Sequence, residues 1–340
     1  MTPPALEHVS SGGPFFEDLR VGELSAVAPA LTLTDGHAAL HQAIVGDRLR
    51  LALDATLCRR VVGTEAPLAH PALVCDVAIG QSTMITQRVI ANLFYRGLQL
   101  RRSPMIGDTL STTTEVVALR QNSLRAGRAA TGLAVLRVRT TDQEDRRVLD
   151  FWRCAMLPLR DGELRTGHAD ELDAFPTELD AGALRAITAG WHLNVYRDAV
   201  PAPHFADLRD GMMWRMEGGD VVSAAPELAR LSLNVAMAHH DRGAASSGRR
   251  LVYGGHTIGI AAAQATRALP NLVTIAGWHG CDHLAPVYED DTLYSELELE
   301  RREPLQDGGG LVHLRSQVRA LRADGAQDDV LDWRFVGVMA

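Results

Sequence analysis

The sequence predicts an α+β fold made of two tandem copies of one unit, each a long helix wrapped by an antiparallel sheet. Three short segments of the 340-residue chain recur in the same order in its two halves, at a nearly constant offset. Collinear matches of this kind indicate a duplication with small deletions in the loops. The matched segments are 14–22 with 203–211, 108–110 with 291–293, and 149–151 with 331–333.

Small residues in the second half predict its central helix over 257–269. Gly259, Ala262 and Ala265 carry almost no side chain, so a sheet can approach this helix closely on most of its faces. A breaker pair of proline and asparagine follows the last helical residue. The corresponding helix of the first half is predicted over 71–89.

Segments rich in threonine and valine, with partial alternation of apolar and polar residues, predict the strands that surround the helices. Polar segments between the strands predict two equivalent hairpin loops, at 121–128 and 307–310. The predicted strands are 90–102, 109–120, 132–141 and 148–157 in the first half, and 272–284 and 292–300 in the second. The predicted domain bounds are a flexible N-terminus at 1–13, an N-terminal domain at 14–160, a linker with a short helix at 161–190, and a C-terminal domain at 191–340.

The composition argues against several classes of function. The chain has 34 Lys+Arg against 42 Asp+Glu, a net charge of −8, and no lysine, so it lacks the basic surface that a nucleic-acid partner requires. It shows neither a secretory signal pattern nor an apolar run long enough to span a membrane. The four cysteines lack paired spacing, which predicts free thiols in a reducing compartment. We therefore expect a cytoplasmic protein with no nucleic-acid or membrane partner.

A glycine pair opens the second helix as Gly254-Gly255-His256, and two further motifs follow, Ala-Pro-Val-Tyr at 285–288 and Asp-Thr-Leu at 291–293. Together these motifs resemble the MaoC-type dehydratases and (R)-specific enoyl-CoA hydratases, except that Asp290 stands where that family usually has glycine. The string 250–256 resembles the mesaconyl-CoA hydratase branch more closely. Because the first half repeats the pattern, the resemblance covers nearly all of the chain.

This resemblance implies a double-hotdog fold, in which two hotdog units share one continuous sheet. It implies a reversible addition of water to the α,β-double bond of an acyl-CoA thioester, with no cofactor besides the CoA of the substrate. It also allows a homodimer of double-hotdog chains. Two other functions stay open. One is a hotdog thioesterase that uses Asp76 of the first helix, and the other is an acyl-CoA-binding homologue that has lost turnover.

The catalytic pair implied by the resemblance is an aspartate and, five residues later, a histidine, on a loop before the central helix, where they share the attacking water. The second half has His239 at the histidine position but Asn234 at the aspartate position. The first half has Asp47, but Ala52 stands five residues after it. Neither half therefore contains the complete pair. We predict that His239 is the base and that Asn234 orients the water; a packing role is the alternative for His239.

Further residues are predicted to contact the substrate. The backbone N–H groups of Gly255 and His256 are predicted to polarise the thioester oxygen, although a tight strand-to-helix turn would also explain the glycines. A helix cap or a solvated loop carboxylate is the alternative role for Asp47. The remaining candidates for substrate contact are Tyr253, Gly254, His283 and Asp47.

Two clusters have both a binding and a structural interpretation. Arg96, Arg101 and Arg102 suit the phosphates of CoA, but a solvated strand face explains them equally well. His279, Cys281 and a further histidine alternate on one face of a predicted strand, as metal ligands can. No fourth ligand with motif spacing accompanies them, so we predict that the protein does not depend on a metal ion.

Overall fold

The computed structural model describes residues 11–125, 127–172, 174–245, 247–306 and 308–340. Each half contains four long strands and one central helix, with shorter elements around them. The first half contains β1 (Leu24–Ser25), β2 (Leu31–Thr32), α1 (Asp35–Val45), α2 (Arg50–Leu53), α3 (Ala55–Val62), α4 (Pro71–Gln81), β3 (Ala91–Leu100), β4 (Thr109–Gln121), β5 (Thr131–Thr141) and β6 (Arg147–Pro158). The second half contains α5 (Ala181–Ala186), α6 (Leu193–Ala199), β7 (Met213–Arg215), β8 (Asp220–Val221), α7 (Ala225–Leu231), α8 (Gly254–Ala268), β9 (Leu272–His283), β10 (Thr292–Pro304), β11 (Gly310–Leu321) and β12 (Gln327–Met339).

The long strands form one continuous antiparallel sheet that runs through both halves. Its central order is β4-β5-β6-β3-β9-β12-β11-β10, so the second half repeats the order of the first in mirror sequence. The two halves join where β3 pairs with β9, for example at Phe94 with Asp282 and at Leu98 with Trp278. This arrangement is the predicted α+β fold, with two helix-and-sheet units sharing one sheet.

Equivalent side chains make equivalent contacts in the two halves. Near the end of α4, Gln81 donates from Nε2 to the carbonyl oxygen of Leu110 at 3.0 Å. In α8, Gln264 donates in the same way to the carbonyl oxygen of Leu293 at 2.8 Å. The two leucines belong to the repeated Asp-Thr-Leu segment, so the sequence duplication corresponds to a structural one.

The two central helices lie in the core as their small residues predict, but their bounds differ from the prediction. In α4, every residue from Pro71 to Gln81 is buried. The chain then continues as the 3₁₀ turn Ser82–Ile85 and not as an α-helix to residue 89. The hydroxyls of Ser82 and Thr83 donate to the carbonyl oxygens three residues earlier, at 2.6 Å each, which competes with the helical hydrogen bonds. Helix α8 begins at Gly254, three residues before the predicted start.

Three short helices of the first half, α1 to α3, were not predicted. Side-chain caps define two of them, because Thr34 accepts a hydrogen bond from the N–H of His37 and Asp54 accepts one from Leu57. Of these helices, α1 packs against α7 and the central helix α8, and α3 packs against α6. Asp47 lies in the turn between α1 and α2.

The remaining predictions concern loops and boundaries. The chain between β4 and β5 corresponds to the first hairpin loop, and β11 begins at Gly310, the last residue of the second predicted loop. Residues 1–10, Ala126 and Asp307 of the predicted loops lie outside the described residues. The domain bounds stay a prediction. Within the described ranges, no helix is long and apolar enough to cross a bilayer.

Candidate active site

A cavity of about 600 Å³ lies where the two halves meet. Its walls come from the end of α4, from β3 and β6 of the first half, from the start of α8, and from the segment after β9. The walls are mainly apolar, and a small number of polar groups face the interior, as in binding pockets for small molecules. The polar groups at the cavity wall include those of Arg153, Asn234, His239, Tyr253, Gly254 and His283.

The loop of the second half that carries His239 packs against the first half. Gly80 of α4 meets the carbonyl oxygen of Ser232 so closely that a Cβ atom there would lie 1.8 Å from it. One turn further, the hydroxyl of Thr83 accepts a hydrogen bond from the N–H of Val235 at 3.0 Å. The position of the loop is therefore set by contacts across the duplication, and both halves build the site.

His239 presents one free ring nitrogen at the cavity wall. Its Nδ1 lies 2.8 Å from the carbonyl oxygen of Leu251, which can only accept, so Nδ1 carries the hydrogen and Nε2 carries the lone pair. Burial lowers the pKa of His239 to about 4, against the opposing effect of the Leu251 carbonyl. At neutral pH the imidazole is therefore uncharged and able to accept a proton.

Asn234 is held in place by its own neighbours in the loop. The side-chain oxygen of Asn234 accepts a hydrogen bond from the N–H of Ala236 at 2.9 Å. The backbone carbonyl oxygen of Asn234 lies 2.7 Å from Nε2 of His240. Leu233 before it has φ of 60°, in the left-handed region that a branched side chain rarely adopts. The side-chain NH₂ of Asn234 makes no hydrogen bond within the described ranges, so it is the group that a water at the cavity wall would meet.

The start of α8 provides backbone donors. Gly254 lines the cavity, and no partner within the described ranges accepts from its N–H or from that of Gly255. The N–H of His256 is already bonded to the carbonyl oxygen of Tyr253 at 2.9 Å. The unpaired donors at this site are therefore the N–H groups of Gly254 and of the predicted Gly255. The predicted His256 N–H is already bonded and offers little to a ligand.

The two residues that follow Gly254 in the first turn of α8 do not line the cavity. Gly255 faces away from the cavity, where a Cβ atom would lie 2.0 Å from the carboxylate of Asp76. The ring of His256 is fully enclosed, lines no part of the cavity, and has no hydrogen-bond partner within the described ranges. The ring of His256 is therefore not assigned to the substrate.

Tyr253 and His283 line the cavity, as predicted for substrate-contacting residues. The ring of Tyr253 lies against that of His239, with 5.7 Å between the ring centroids. His283 lies at the end of β9 against Gly254, where a Cβ atom would lie 2.6 Å from the ring Nε2. Burial lowers the pKa of His283 to about 4, so this second imidazole is also neutral. The absence of a side chain at Gly254 is what lets the ring reach the helix start.

Asp47 does not lie in the cavity, so we no longer assign it to the substrate. Its Oδ2 lies 2.8 Å from Nε2 of His70 and accepts from the N–H of Leu49 at 2.8 Å. Burial alone would raise the pKa of Asp47, but His70 and the Leu49 N–H outweigh it and the pKa is lowered. Nδ1 of His70 accepts from the N–H of Ala72 at the start of α4. Asp47 therefore helps to fix the cap of the first central helix.

Asp76, on which the thioesterase alternative depended, is also enclosed. Its carboxylate is 3.4 Å from Nε2 of His41, and neither residue lines the cavity. Three predicted phosphate-binding arginines are engaged as well, because Arg96, Arg101 and Arg102 each form an ion pair with an aspartate. The first half also contributes cavity residues that no sequence motif marks, among them Arg88, Arg153 and Tyr95.

The predicted metal independence stays a prediction. Within the described ranges, no group of three or more His, Cys, Asp and Glu side chains is arranged to hold a metal ion. His279 lies on β9 with its Nε2 3.1 Å from Nδ1 of His313, while Cys281 is fully buried in the core.

Comparison with known proteins relates the chain to CoA-dependent hydratases. No family profile matches it. The β-methylmalyl-CoA dehydratase of Chloroflexus aurantiacus is 30% identical over 299 residues, which covers 84% of this chain and 82% of the relative. The mesaconyl-CoA hydratase of Cereibacter sphaeroides is 30% identical over 317 residues, covering 90% of this chain and 89% of the relative.

Solved structures agree with this relationship. Protein RV0216 of Mycobacterium tuberculosis, described as a double hotdog fold, is 53% identical, covers 98% of this chain and 100% of its own, and has a TM-score of 0.90. A putative MaoC domain dehydratase from Chloroflexus aurantiacus is 26% identical, with a TM-score of 0.84 and coverage of 98% and 99%. The shared sheet and the cavity between its halves thus define a double-hotdog protein. With its relatives similar over most of their length, the chain belongs to the MaoC-like family of CoA hydratases and dehydratases.

Proposed function

We propose that the protein catalyses reversible addition of water to the α,β-double bond of an enoyl-CoA thioester. The observation that carries this proposal is the neutral, buried His239, whose free Nε2 faces a cavity that the backbone of Gly254, with its N–H unpaired within the described ranges, also lines. The family relationship supports the same chemistry, since the relatives are a β-methylmalyl-CoA dehydratase and a mesaconyl-CoA hydratase. No cofactor is proposed beyond the CoA of the substrate.

In the proposed reaction, a water held by the side-chain amide of Asn234 gives one proton to Nε2 of His239. Its oxygen forms a bond to Cβ as the π electrons move to the thioester carbonyl, which becomes an enolate. The protonated His239 then returns its proton to Cα, so the sum of the steps is the addition of one water. A buried imidazolium is a strong acid, because burial lowers the pKa of His239, and this favours the return of the proton.

The start of α8 is proposed to stabilise the enolate oxygen. Unpaired N–H groups at a helix N-terminus carry partial positive charge, and the same helix directs its dipole towards the negative oxygen. Gly254 places its backbone at the cavity wall without a side chain in between. The neutral ring of His283 lies directly beside this glycine.

We also propose where the protein works and how it assembles. The four cysteines are buried free thiols, which suits a reducing compartment, and we propose the cytoplasm. A homodimer of double-hotdog chains is proposed as the assembly. Sedimentation velocity on the purified protein tests the dimer, because a mass near twice the chain mass of 36.8 kDa is expected.

A two-signal assay tests the proposed function. Purified protein is mixed with enoyl-CoA and 3-hydroxyacyl-CoA thioesters, while enoyl absorbance and free thiol are followed together. Hydration changes the absorbance without releasing thiol. Release of thiol would favour the thioesterase alternative, and binding without either signal would favour a homologue that has lost turnover.

A further inference from the structure

The loop that carries the proposed base contains a second histidine directly after His239. His240 is half-buried, and its Nε2 lies 2.7 Å from the backbone carbonyl oxygen of Asn234. A carbonyl oxygen can only accept, so Nε2 of His240 carries the hydrogen and donates it. The ring of His240 therefore connects the end of the loop to the residue that is proposed to hold the water.

This hydrogen bond does not depend on the charge of His240. A neutral imidazole with its hydrogen on Nε2 donates to the carbonyl oxygen, and an imidazolium donates as well because both of its nitrogens carry hydrogen. The charged donor makes the stronger bond of the two. The contact between His240 and Asn234 is therefore retained when His240 gains a proton.

The backbone at this point of the loop is strained and requires support. Leu233 has φ of 60°, in the left-handed region, where a branched residue persists only if the contacts around it hold it there. The next residue is held at both of its backbone groups. The N–H of Asn234 donates to the carbonyl oxygen of Ala229 at 2.9 Å, and the carbonyl oxygen of Asn234 accepts from His240. His240 thus fixes the backbone on the side that leads to the base.

The side chain of Asn234 is fixed together with its backbone. Its oxygen accepts a hydrogen bond from the N–H of Ala236 at 2.9 Å, which leaves the side-chain NH₂ without a partner within the described ranges. Because the backbone and the side-chain oxygen are both held, the NH₂ group is restricted to one direction. The contact from His240 is therefore part of what aims this group at the cavity wall.

An amide in this role depends on position more than a carboxylate does. A carboxylate attracts a water through its charge, whereas the neutral amide of Asn234 makes weaker hydrogen bonds. The water must nevertheless lie within hydrogen-bond reach of the base, Nε2 of His239. A displacement of about 1 Å in such an arrangement can lower the rate by roughly 100-fold. A fixed loop therefore supplies the precision that a charge does not supply here.

The base itself is held by a different contact. Nδ1 of His239 donates to the carbonyl oxygen of Leu251, and this contact does not involve His240. The ring of His240 also does not line the cavity, so it does not meet a substrate there. An effect of His240 on the reaction must therefore pass through Asn234.

We propose that His240 is a positioning residue, which holds the backbone carbonyl of Asn234 so that the amide of Asn234 presents the attacking water to His239. This assignment rests on the proposed function. It predicts that the loss of His240 impairs the chemical step and leaves the binding of the substrate largely intact.

Steady-state kinetics on two variants of His240 test this assignment with crotonyl-CoA as the substrate. His240→Ala should lower kcat by roughly 10- to 100-fold with little change in KM, because the amide and its water lose their fixed position. His240→Gln should restore most of the wild-type kcat, since Nε2 of glutamine is separated from Cα by as many bonds as Nε2 of histidine. The exposed His192→Ala is the control and should keep the wild-type kcat. Wild-type kcat in His240→Ala, or His240→Gln as impaired as His240→Ala, would overturn the proposal.

A double-mutant cycle tests whether His240 acts through Asn234. Asn234→Ala removes the side-chain amide and keeps the backbone carbonyl that His240 contacts. In that background, His240→Ala should cause little further loss of kcat, because the group that His240 positions is already absent. A further loss as large as that in the wild-type background would show that His240 acts independently of Asn234 and would overturn the proposal.

Hydrogen exchange tests the contact without relying on turnover. The N–H of Ala236 is bonded to the side-chain oxygen of Asn234, so its exchange reports how firmly that side chain is held. His240→Ala should raise the exchange rate of this N–H by roughly 10-fold, and His240→Gln should leave it close to the wild-type rate. An unchanged rate in His240→Ala would overturn the role of His240 even if the protein hydrates enoyl-CoA thioesters. The expected exchange in a protein without any hydratase activity would retain the contact and reject the proposed function.

Discussion

At the scale of single residues, the tautomer of His239 decides what the site can do. The carbonyl of Leu251 accepts the hydrogen on Nδ1, so the nitrogen that faces the cavity is the basic one. A buried histidine with the opposite tautomer would present a donor and could not take a proton from water. A single backbone carbonyl thus replaces part of the orienting role that a carboxylate has in other catalytic histidines.

Replacing His239 with alanine should lower kcat for hydration by roughly two to four orders of magnitude, the usual effect of losing a general base. Asp47→Asn is the matched control, because Asp47 lies outside the cavity beside His70. It should retain kcat while lowering the melting temperature. Steady-state kinetics and thermal unfolding on both variants check this. A His239→Ala enzyme with wild-type kcat would reject His239 as the base.

The pH dependence of kcat/KM should also report His239. Its proton-accepting form is the neutral imidazole, and burial lowers the pKa of His239 to about 4. We therefore expect kcat/KM to be constant from pH 8 down to about pH 5 and to fall only below that value. Initial rates at enzyme concentrations corrected for the folded fraction would measure it. An acid limb near the ordinary histidine value of about 6.5 would contradict this assignment.

At the scale of elements, the site depends on how closely α4 meets the loop of the second half. Gly80 is the point of contact, where backbone approaches backbone with no room for a side chain. The sheet fixes the two halves through β3 and β9, but this helix-to-loop contact fixes the distance between His239 and the first-half wall of the cavity.

Gly80→Ala should therefore impair both stability and activity. The added Cβ atom would lie 1.8 Å from the carbonyl oxygen of Ser232, and a backbone atom cannot turn aside as a flexible side chain does. We expect the free energy of unfolding to fall by about 1–3 kcal/mol and kcat/KM to fall at least about 10-fold. Gly36→Ala in α1 is the control, since its nearest contact is the Thr34 hydroxyl at 3.6 Å, and it should not reduce either quantity. Wild-type kinetics in Gly80→Ala would show that the loop is not placed by this contact.

At the scale of the whole molecule, buried neutral histidines make the fold sensitive to mild acid. Burial lowers the pKa of His239, His256 and His283 to about 4 in the folded state, against about 6.5 when unfolded. Between these values the unfolded chain binds more protons, so stability is complete above pH 6.5 and decreases as the pH falls towards 4. Each histidine contributes a slope of up to about 1.4 kcal/mol per pH unit.

The melting temperature should therefore fall steadily between pH 6.5 and pH 4.5. Calorimetry at several pH values and constant ionic strength would measure this fall. His256→Met should reduce the slope, because the histidine at this position is fully enclosed and unpaired. The exposed His192→Gln should leave the slope unchanged. A melting temperature independent of pH in this window would contradict the account.

The sequence by itself determined the parts of this protein that depend on local pattern. Repeated segments predicted the duplication, and small residues predicted the central helix of the second half. The resemblance to a known family pointed to the loop that carries Asn234 and His239. The long strands β3 to β6, β9 and β10 were predicted to within a few residues, because alternation reports the burial of a strand directly. The last two long strands, β11 and β12, had no predicted bounds. The short helices between β2 and α4 escaped prediction, since their burial comes from neighbours far away in the chain.

The tertiary structure alone decided which polar groups meet. Asp47 and Asp76 look available in the sequence, but folding pairs each with a histidine outside the cavity. Arg153 carries no motif, and only the fold brings it to the wall of the cavity that His239 also lines. Such contacts join residues far apart in the chain, and no local pattern encodes which of two similar halves supplies the charge and which supplies the base.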